Sequence, residues 1–135
     1  MIAIQQFKGK DKELYERVAP LVMNPEVLKK NRNYPFKTGE NYIWYVAIEE
    51  ENDTVVGFMP VEIRSTAQAI INNYYIEDNS SEILSILLKK TIQTLKNKTD
   101  KLIAVVQKQH QNSFRKKKFE IEQEWTNYIK MSWQG

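Results

Sequence analysis

The stretch that most constrains the fold runs from Tyr74 to Leu95 (YYIEDNSSEILSILLKKTIQTL), where an apolar strand passes through a short polar turn into a long helix. The helix positions expected to face a core recur with the 3.6-residue period of an amphipathic helix: Leu84, Leu87, Leu88, Thr91, Ile92 and Leu95. A strand that leads straight into a helix leaves the first N–H groups of that helix unpaired. With the helix dipole they form a site for an anion such as phosphate. Any chemical function is therefore expected at this turn.

A strand–helix–strand unit surrounds the turn. The strand before the helix is predicted at Gln68–Ile76, and the nearly continuous apolar run Lys101–Gln107 is typical of a strand buried on both faces. Such a unit predicts a parallel crossover, with the turn Glu77–Ser81 at the carboxyl end of a strand, where α/β sheets commonly hold ligands. Asn79 is predicted to cap the helix, with Glu82 as its capping-box partner.

The remaining segments predict an α+β fold. Aromatic and β-branched runs alternate with turns, which favours antiparallel hairpins. Further strands are expected at residues 2–7, 42–49, 54–64, 119–123 and 126–133, and helices at 11–21, 24–31, 80–98 and 109–118. We expect a single domain over residues 1–135, a three-layer α/β arrangement with a mixed, mostly antiparallel sheet of six to seven strands flanked by about four helices.

Composition excludes several classes of site. There are no cysteines and one histidine, His110, so disulfides, thiolate sites and multi-histidine metal sites are excluded and no metal is predicted. No apolar run approaches the ~18 residues of a membrane span, and Met1–Phe7 does not resemble a signal peptide. A cytoplasmic protein without membrane contact is expected.

The net charge is +3, with a basic run at Arg115–Lys118. This run is either a solvated helix face or an attraction for a phosphorylated cofactor or a polyanion, and a nucleic-acid-binding domain is the least favoured reading.

The whole chain resembles the GNAT family, the acetyl-CoA-dependent N-acetyltransferases, in the order of its elements and in three local patterns. WYVAIEEENDTVVGF resembles that family's hairpin of strands two and three. NNYYI with its polar turn and LL-containing helix resembles the acetyl-CoA-binding segment, and FRKKKFE followed by YIKMSW resembles the last helix and closing strands. The resemblance implies acetyl-CoA as co-substrate and an amine acceptor, either a small molecule or a protein.

In that family the pantetheine arm lies where strands four and five splay apart, and the pyrophosphate lies on the loop that opens the next helix. Carried over by motif, the arm positions are Tyr74, Tyr75 and Ile76, and the pyrophosphate positions are Asn79, Ser80, Ser81 and Glu82. The resemblance therefore places the cofactor at the turn that the residues alone single out.

Two positions depart from the family pattern. Its loop reads Arg/Gln-x-x-Gly-x-Gly/Ala, whereas both glycines are missing here and Glu82 brings a carboxylate toward the phosphates. Its last helix usually carries a tyrosine that protonates the departing thiolate, and Phe114 stands at that position if Phe119 is the matching phenylalanine. The leading hypothesis is an N-acyltransferase. The alternative is a catalytically inactive GNAT-fold module for binding or interaction.

Acyl transfer to an amine needs a group that accepts a proton. The candidates are Glu62, Tyr75 and His110, although the polar surroundings of the histidine (QKQHQN) favour an exposed side chain. Tyr74 and Tyr75 are neighbours on a strand and should point to opposite faces.

Three aromatic residues form a candidate acceptor pocket: Tyr34 and Phe36 from a loop, and Trp44 from a strand. Packing over the core is the alternative for each of them. Asn72 and Asn73 either line the splay or mark a solvent-facing edge, and a homodimer is left open.

Overall fold

The computed structural model describes all 135 residues and contains one eight-stranded mixed sheet with four α-helices. The strands are β1 (Ile2–Lys8), β2 (Tyr42–Glu49), β3 (Thr54–Ser65), β4 (Gln68–Ile71), β5 (Tyr75–Ile76), β6 (Lys101–Gln107), β7 (Phe119–Glu124) and β8 (Tyr128–Trp133). The helices are α1 (Lys12–Val22), α2 (Pro25–Lys30), α3 (Ser81–Leu95) and α4 (Gln111–Arg115), with 3-10 turns at Glu77–Asn79 and Lys108–His110. The strand order is β1-β2-β3-β4-β6-β8-β7, and β5 pairs with β3. The predicted fold class is confirmed.

Helices cover both faces of the sheet, because successive residues of its central strands are apolar and point to opposite faces. In β2, Tyr45 and Ala47 join the larger cluster of buried side chains under α3 and α4. Trp44, Val46 and Ile48 join the smaller cluster under α1 and α2. Burial on both faces explains why these strands read as continuous apolar runs.

The strand predicted at residues 68–76 is broken in the middle. β4 pairs with β6 in parallel up to Ile71 opposite Ala104, as the crossover predicts. β5 pairs only with β3, at Gly57 and Phe58. Between them Asn73 has φ 54, a left-handed conformation that asparagine tolerates better than most residues. The prediction of a continuous strand was wrong here, and the consequence is an opening between residues 72–76 and 105–107, which we call the strand gap.

The turn into α3 also differs from its prediction. Ser80, not Asn79, is the N-cap: its hydroxyl accepts a hydrogen bond from the Ile83 N–H at 3.2 Å. Asp78 and Asn79 both have φ 52, so the chain takes a left-handed turn before the helix begins. Glu82 lies in the first turn of α3 without the predicted capping-box bond. The predicted cap was wrong because the turn carries four cap-forming residues in succession, Asp78 to Ser81, and the local sequence does not choose between them.

Helix α4 is shorter than expected. It ends at Arg115 instead of Lys118, and it is preceded by a 3-10 turn that ends at His110. None of the helices combines the length and the apolar character that a membrane span would need.

Candidate functional site

A chain of hydrogen bonds crosses the strand gap. The Gln107 N–H, at the unpaired edge of β6, donates to the hydroxyl of the buried Tyr74 at 3.1 Å. The Tyr74 hydroxyl lies 2.7 Å from Nδ1 of His110, and Nε2 of His110 lies 3.1 Å from Oδ1 of Asn79. This chain therefore ties β6 to the turn before α3.

The direction of these bonds fixes the tautomer of His110. Oδ1 of Asn79 also accepts a hydrogen bond from the Gln109 amide at 3.2 Å, and a carbonyl oxygen can only accept. Nε2 of His110 therefore carries the proton, and Nδ1 accepts the proton of Tyr74. Burial lowers the pKa of His110, so the imidazole is neutral near pH 7. Its lone pair is already engaged, which leaves it unsuited to take a proton from a substrate.

His110 is 5% exposed, so the prediction of an exposed side chain was wrong. In the fold the Tyr74 ring packs beside His110, and Phe114 packs beside Tyr74. Burial also raises the pKa of the Tyr74 hydroxyl, which stays neutral in this setting.

A polar groove lies between α3 and α4, and we call it the α3–α4 groove. Its volume is about 350 Å³, and it is lined by Ser81, Glu82, Ser85, Ser113, Lys116 and Lys117. The N–H groups of Ser81 and Glu82 donate to no acceptor in the protein. Two ammonium groups and two free N–H groups favour an anion here, whereas the Glu82 carboxylate opposes one.

A second cavity opens on the face of the sheet covered by α1 and α2, and we call it the Tyr34 cavity. Its volume is about 360 Å³, and it is lined by Tyr34, Pro35, Lys37, Asn72, Asn73, Val105, Trp125 and Tyr128. It therefore lies against the strand gap, since Asn72, Asn73 and Val105 border both. The tryptophan and the tyrosine from the β7–β8 hairpin were not predicted at a site. The only sequence signal is for Trp125, an aromatic residue inside a polar turn (EQEWTN). Tyr128, the first residue of β8, has none.

A buried asparagine holds the wall of this cavity in place. Asn31, at the C-terminal end of α2, is 3% exposed. Its amide donates to the Tyr34 carbonyl oxygen at 3.0 Å and to Oδ1 of Asn73 at 3.0 Å. The loop after α2 and the break after β4 are therefore fixed relative to each other. Nothing in the sequence distinguishes this asparagine from the surface asparagines around it.

The three residues of the predicted acceptor pocket do not come together. Tyr34 lines the cavity, with its ring 6.3 Å from that of Tyr128. Phe36 and Trp44 instead pack against Phe58, with ring centroids 4.9 and 5.2 Å away. These two residues belong to the core under α1 and α2, where strand alternation places Trp44 with Val46 and Ile48.

The other predicted catalytic candidates lie on the same face as the Tyr34 cavity. Tyr75 packs on Phe58 at 5.6 Å, opposite in direction to Tyr74 as strand alternation predicts, and it lines neither cavity. The Glu62 carboxylate reaches a smaller neighbouring cavity of about 110 Å³ that also touches Asn72 and Asn73. It accepts hydrogen bonds from the Asn41 amide at 3.2 Å and from Nε of Arg64 at 3.3 Å. No group of three or more His, Cys, Asp or Glu side chains is placed to hold a metal ion.

Solved structures resemble this fold over nearly its whole length. An acyl-CoA N-acyltransferase from Pseudomonas aeruginosa is 14% identical, with a TM-score of 0.74 over 99% of this chain and 100% of that one. A GNAT family acetyltransferase from Elizabethkingia anophelis with acetyl-CoA bound is 16% identical, with a TM-score of 0.66 over 98% and 97%. Aminoglycoside 6′-acetyltransferase type Ii is 12% identical, with a TM-score of 0.69 over 96% and 95%. No family model matches the sequence, and no curated protein matches it.

At sequence identities of 12–16%, these structural similarities show the fold of the chain. The chain has the GNAT fold, the mixed sheet with helices on both faces that acyl-CoA N-acyltransferases share. The resemblance seen in the sequence is confirmed at that level.

Proposed function

We propose that this protein is an acetyl-CoA-dependent N-acyltransferase. The observation that carries the proposal is the strand gap: the Tyr34 cavity borders it at Asn72, Asn73 and Val105, and the turn that follows it leads into Ser81 and Glu82, which line the α3–α4 groove. In this reaction an amine nitrogen attacks the thioester carbonyl, the C–N bond forms, the C–S bond breaks, the nitrogen loses a proton and the sulfur gains one. Two substrates that enter from these two places would meet at the gap.

The α3–α4 groove fits the diphosphate of the coenzyme. Lys116 and Lys117 supply positive charge, and the Ser81 and Glu82 N–H groups supply donors. The Glu82 carboxylate is the one group in the groove that opposes an anion. The groove would therefore hold the phosphates less tightly than a glycine-rich turn, on which phosphates approach the backbone closely.

The strand gap fits the pantetheine arm only after a local rearrangement. The Tyr74 hydroxyl, His110 and Asn79 fill it with their hydrogen bonds. An arm in the gap would have to replace the contact of Tyr74 with the Gln107 N–H. Breaking a buried hydrogen bond without replacement costs about 1–3 kcal/mol, and an amide of the arm can offer a replacement.

Groups for the chemical step lie around the gap. The Tyr74 N–H, at the break between β4 and β5, donates to no acceptor in the protein, and we assign it to the thioester oxygen. Glu62 is assigned the proton of the amine, directly or through water. Phe114 is buried and has no proton to give, so the proton for the departing sulfur comes from another group or from water.

A second candidate function is a GNAT-fold module that binds a ligand or partner without catalysis. The observation that favours it is the same chain of hydrogen bonds, because it closes the strand gap. Phe114, which lacks the hydroxyl of the tyrosine usual at this position, also favours this second candidate.

A thermal-shift titration with acetyl-CoA, coenzyme A and ATP as nucleotide control tests cofactor binding. A ligand at ~100 times its dissociation constant should stabilise the fold by about 2.7 kcal/mol. The double variant Lys116→Gln/Lys117→Gln should weaken the response. Lys89→Gln/Lys90→Gln is the matched control, because it removes the same charge from residues that do not line the groove. No shift at millimolar acetyl-CoA would contradict the proposal.

Measuring coenzyme A release with a panel of amines then separates the two candidates. Release above the rate of spontaneous hydrolysis supports acyl transfer. Binding of acetyl-CoA without release for any amine supports the non-catalytic module.

A further inference from the structure

A strongly basic groove lies beside the Tyr34 cavity, and the reaction chemistry does not use it. Its volume is about 440 Å³, and its lining includes Lys29, Lys30, Arg32 and Lys108 together with Tyr128. No aspartate or glutamate lines it. It shares no residue with the α3–α4 groove, so it is a separate place for an anion.

The four positive charges have no partner in the protein. Other basic residues are paired: Arg17 with Asp53 at 2.8 Å, and Lys101 with Glu122 at 3.0 Å. None of the groove cations forms such an ion pair. Like charges that converge on one groove repel each other and raise the local concentration of anions. A bound anion would relieve this repulsion.

The hydroxyl of Tyr128 gives a second, independent indication of a ligand. It is buried and has no hydrogen-bond partner, and a buried polar group left unpaired is unfavourable. Tyr128 lines both the basic groove and the Tyr34 cavity. A ligand that extends from one to the other would cross Tyr128, and it would reach this hydroxyl once the tyrosine side chain turns toward it.

We propose that the acceptor is an amine that also carries an anionic group, a phosphate or a carboxylate, which binds in the basic groove while the amine lies in the Tyr34 cavity. This inference rests on the proposed acyl transfer and names the substrate class for it. It excludes polycationic acceptors such as aminoglycosides, because the groove repels them. A single compact groove of this volume suits one anionic group better than the repeated phosphates of a nucleic acid.

An NMR titration of the ¹⁵N-labelled protein with inorganic pyrophosphate, and separately with citrate, tests the inference without any acyl transfer. The indole N–H of Trp125 reports on the Tyr34 cavity, and that of the buried Trp44 serves as an internal control. We expect shifts at residues 29–32 and 107–109. The stronger response of the two anions identifies phosphate or carboxylate as the group.

Two double variants separate the basic groove from the α3–α4 groove. Lys29→Gln/Arg32→Gln, at exposed positions, should raise the dissociation constant for the anion at residues 29–32 about tenfold, the combined effect of two exposed charges. Lys116→Gln/Lys117→Gln should leave that constant unchanged. The inference is overturned if shifts are confined to the start of α3, if the first variant binds as well as the parent, or if single-stranded RNA binds there more tightly than pyrophosphate.

The result is distinguishable from a failure of the proposed function. If acetyl-CoA shifts the thermal unfolding as expected but neither anion binds in the basic groove, only the proposed class of acceptor is overturned. Anion binding in the basic groove without any response to acetyl-CoA would overturn the acyl transfer on which the class rests.

Discussion

The hydroxyl of Tyr74 lies 2.7 Å from Nδ1 of His110, in the gap where two strands of the sheet separate. Both side chains are buried, and the contact occupies the lone pair of the imidazole. His110 is therefore a positioning residue that holds the gap closed. The pKa range of histidine makes His110 a candidate base, and in this conformation its Nδ1 already accepts the proton of Tyr74.

Removal of the Tyr74 hydroxyl should destabilise the fold. In Tyr74→Phe, the Gln107 N–H and Nδ1 of His110 both lose their partner. We expect a loss of about 1–3 kcal/mol in the free energy of unfolding, measured by urea denaturation. The control is Tyr75→Phe, whose hydroxyl makes no hydrogen bond in the protein and should change stability by about 0.5 kcal/mol or less. Equal effects in the two variants would contradict the role assigned to Tyr74.

Stability should fall at mildly acidic pH. Burial lowers the pKa of His110 in the folded state, so the unfolded chain binds a proton first as the pH decreases from about 6.5. The contribution of the neutral imidazole is present above that pH and is lost as the pH falls through the folded pKa, with a slope of at most about 1.4 kcal/mol per pH unit. His110 is the only histidine, so His110→Gln should remove the slope between pH 5 and 7. A slope that persists in this variant would assign the effect to other groups.

Neutralising Glu82 should strengthen cofactor binding. Its carboxylate lines the α3–α4 groove with Lys116 and Lys117, so Glu82→Gln should lower the dissociation constant for acetyl-CoA about two- to fivefold. The same change should slightly reduce stability, because a carboxylate is favourable in the first turn of a helix. Glu120→Gln, an exposed change of equal charge on β7, should have neither effect. Titration calorimetry measures the constant, and weaker binding to Glu82→Gln would show that the phosphates lie elsewhere.

The fold could be predicted from the sequence because each signal is local. The apolar period of α3, the continuous run of β6 and the hairpins fix the order of elements, and burial on both faces of β2 reinforces the pattern. The break after β4 could not be predicted. It depends on a left-handed Asn73 that is held by Asn31 from another part of the chain.

The sequence predicts only the part of the candidate site that consecutive residues of one segment form. Ser81 and Glu82 at the start of α3 belong to the turn that the sequence singles out, and they do line a groove. Tyr128 and the basic groove depend on how the β7–β8 hairpin meets the end of α2. That contact between distant segments has no sequence signature, since lysines at the end of a helix are ordinary on any surface.

A methyl group added at Gly57 should loosen the packing of α3 on the sheet. A Cβ atom at this position would lie 3.0 Å from the Tyr75 carbonyl oxygen, 3.2 Å from Cγ2 of Ile83 and 3.3 Å from Cδ1 of Leu87. The first contact is with the backbone of β5, which cannot move without disturbing its pairing with β3. Gly57→Ala should therefore cost about 1–3 kcal/mol, as overpacked cores do, measured by urea denaturation.

Gly39→Ala is the control for this change, because its nearest contacts are side-chain atoms at 3.3 Å and 3.7 Å. Since β5 borders the strand gap and leads into the turn before α3, Gly57→Ala should also weaken the thermal response to acetyl-CoA, whereas Gly39→Ala should leave it intact. An unchanged stability in Gly57→Ala would mean that α3 can shift outward freely. The glycine would then have no part in positioning the turn.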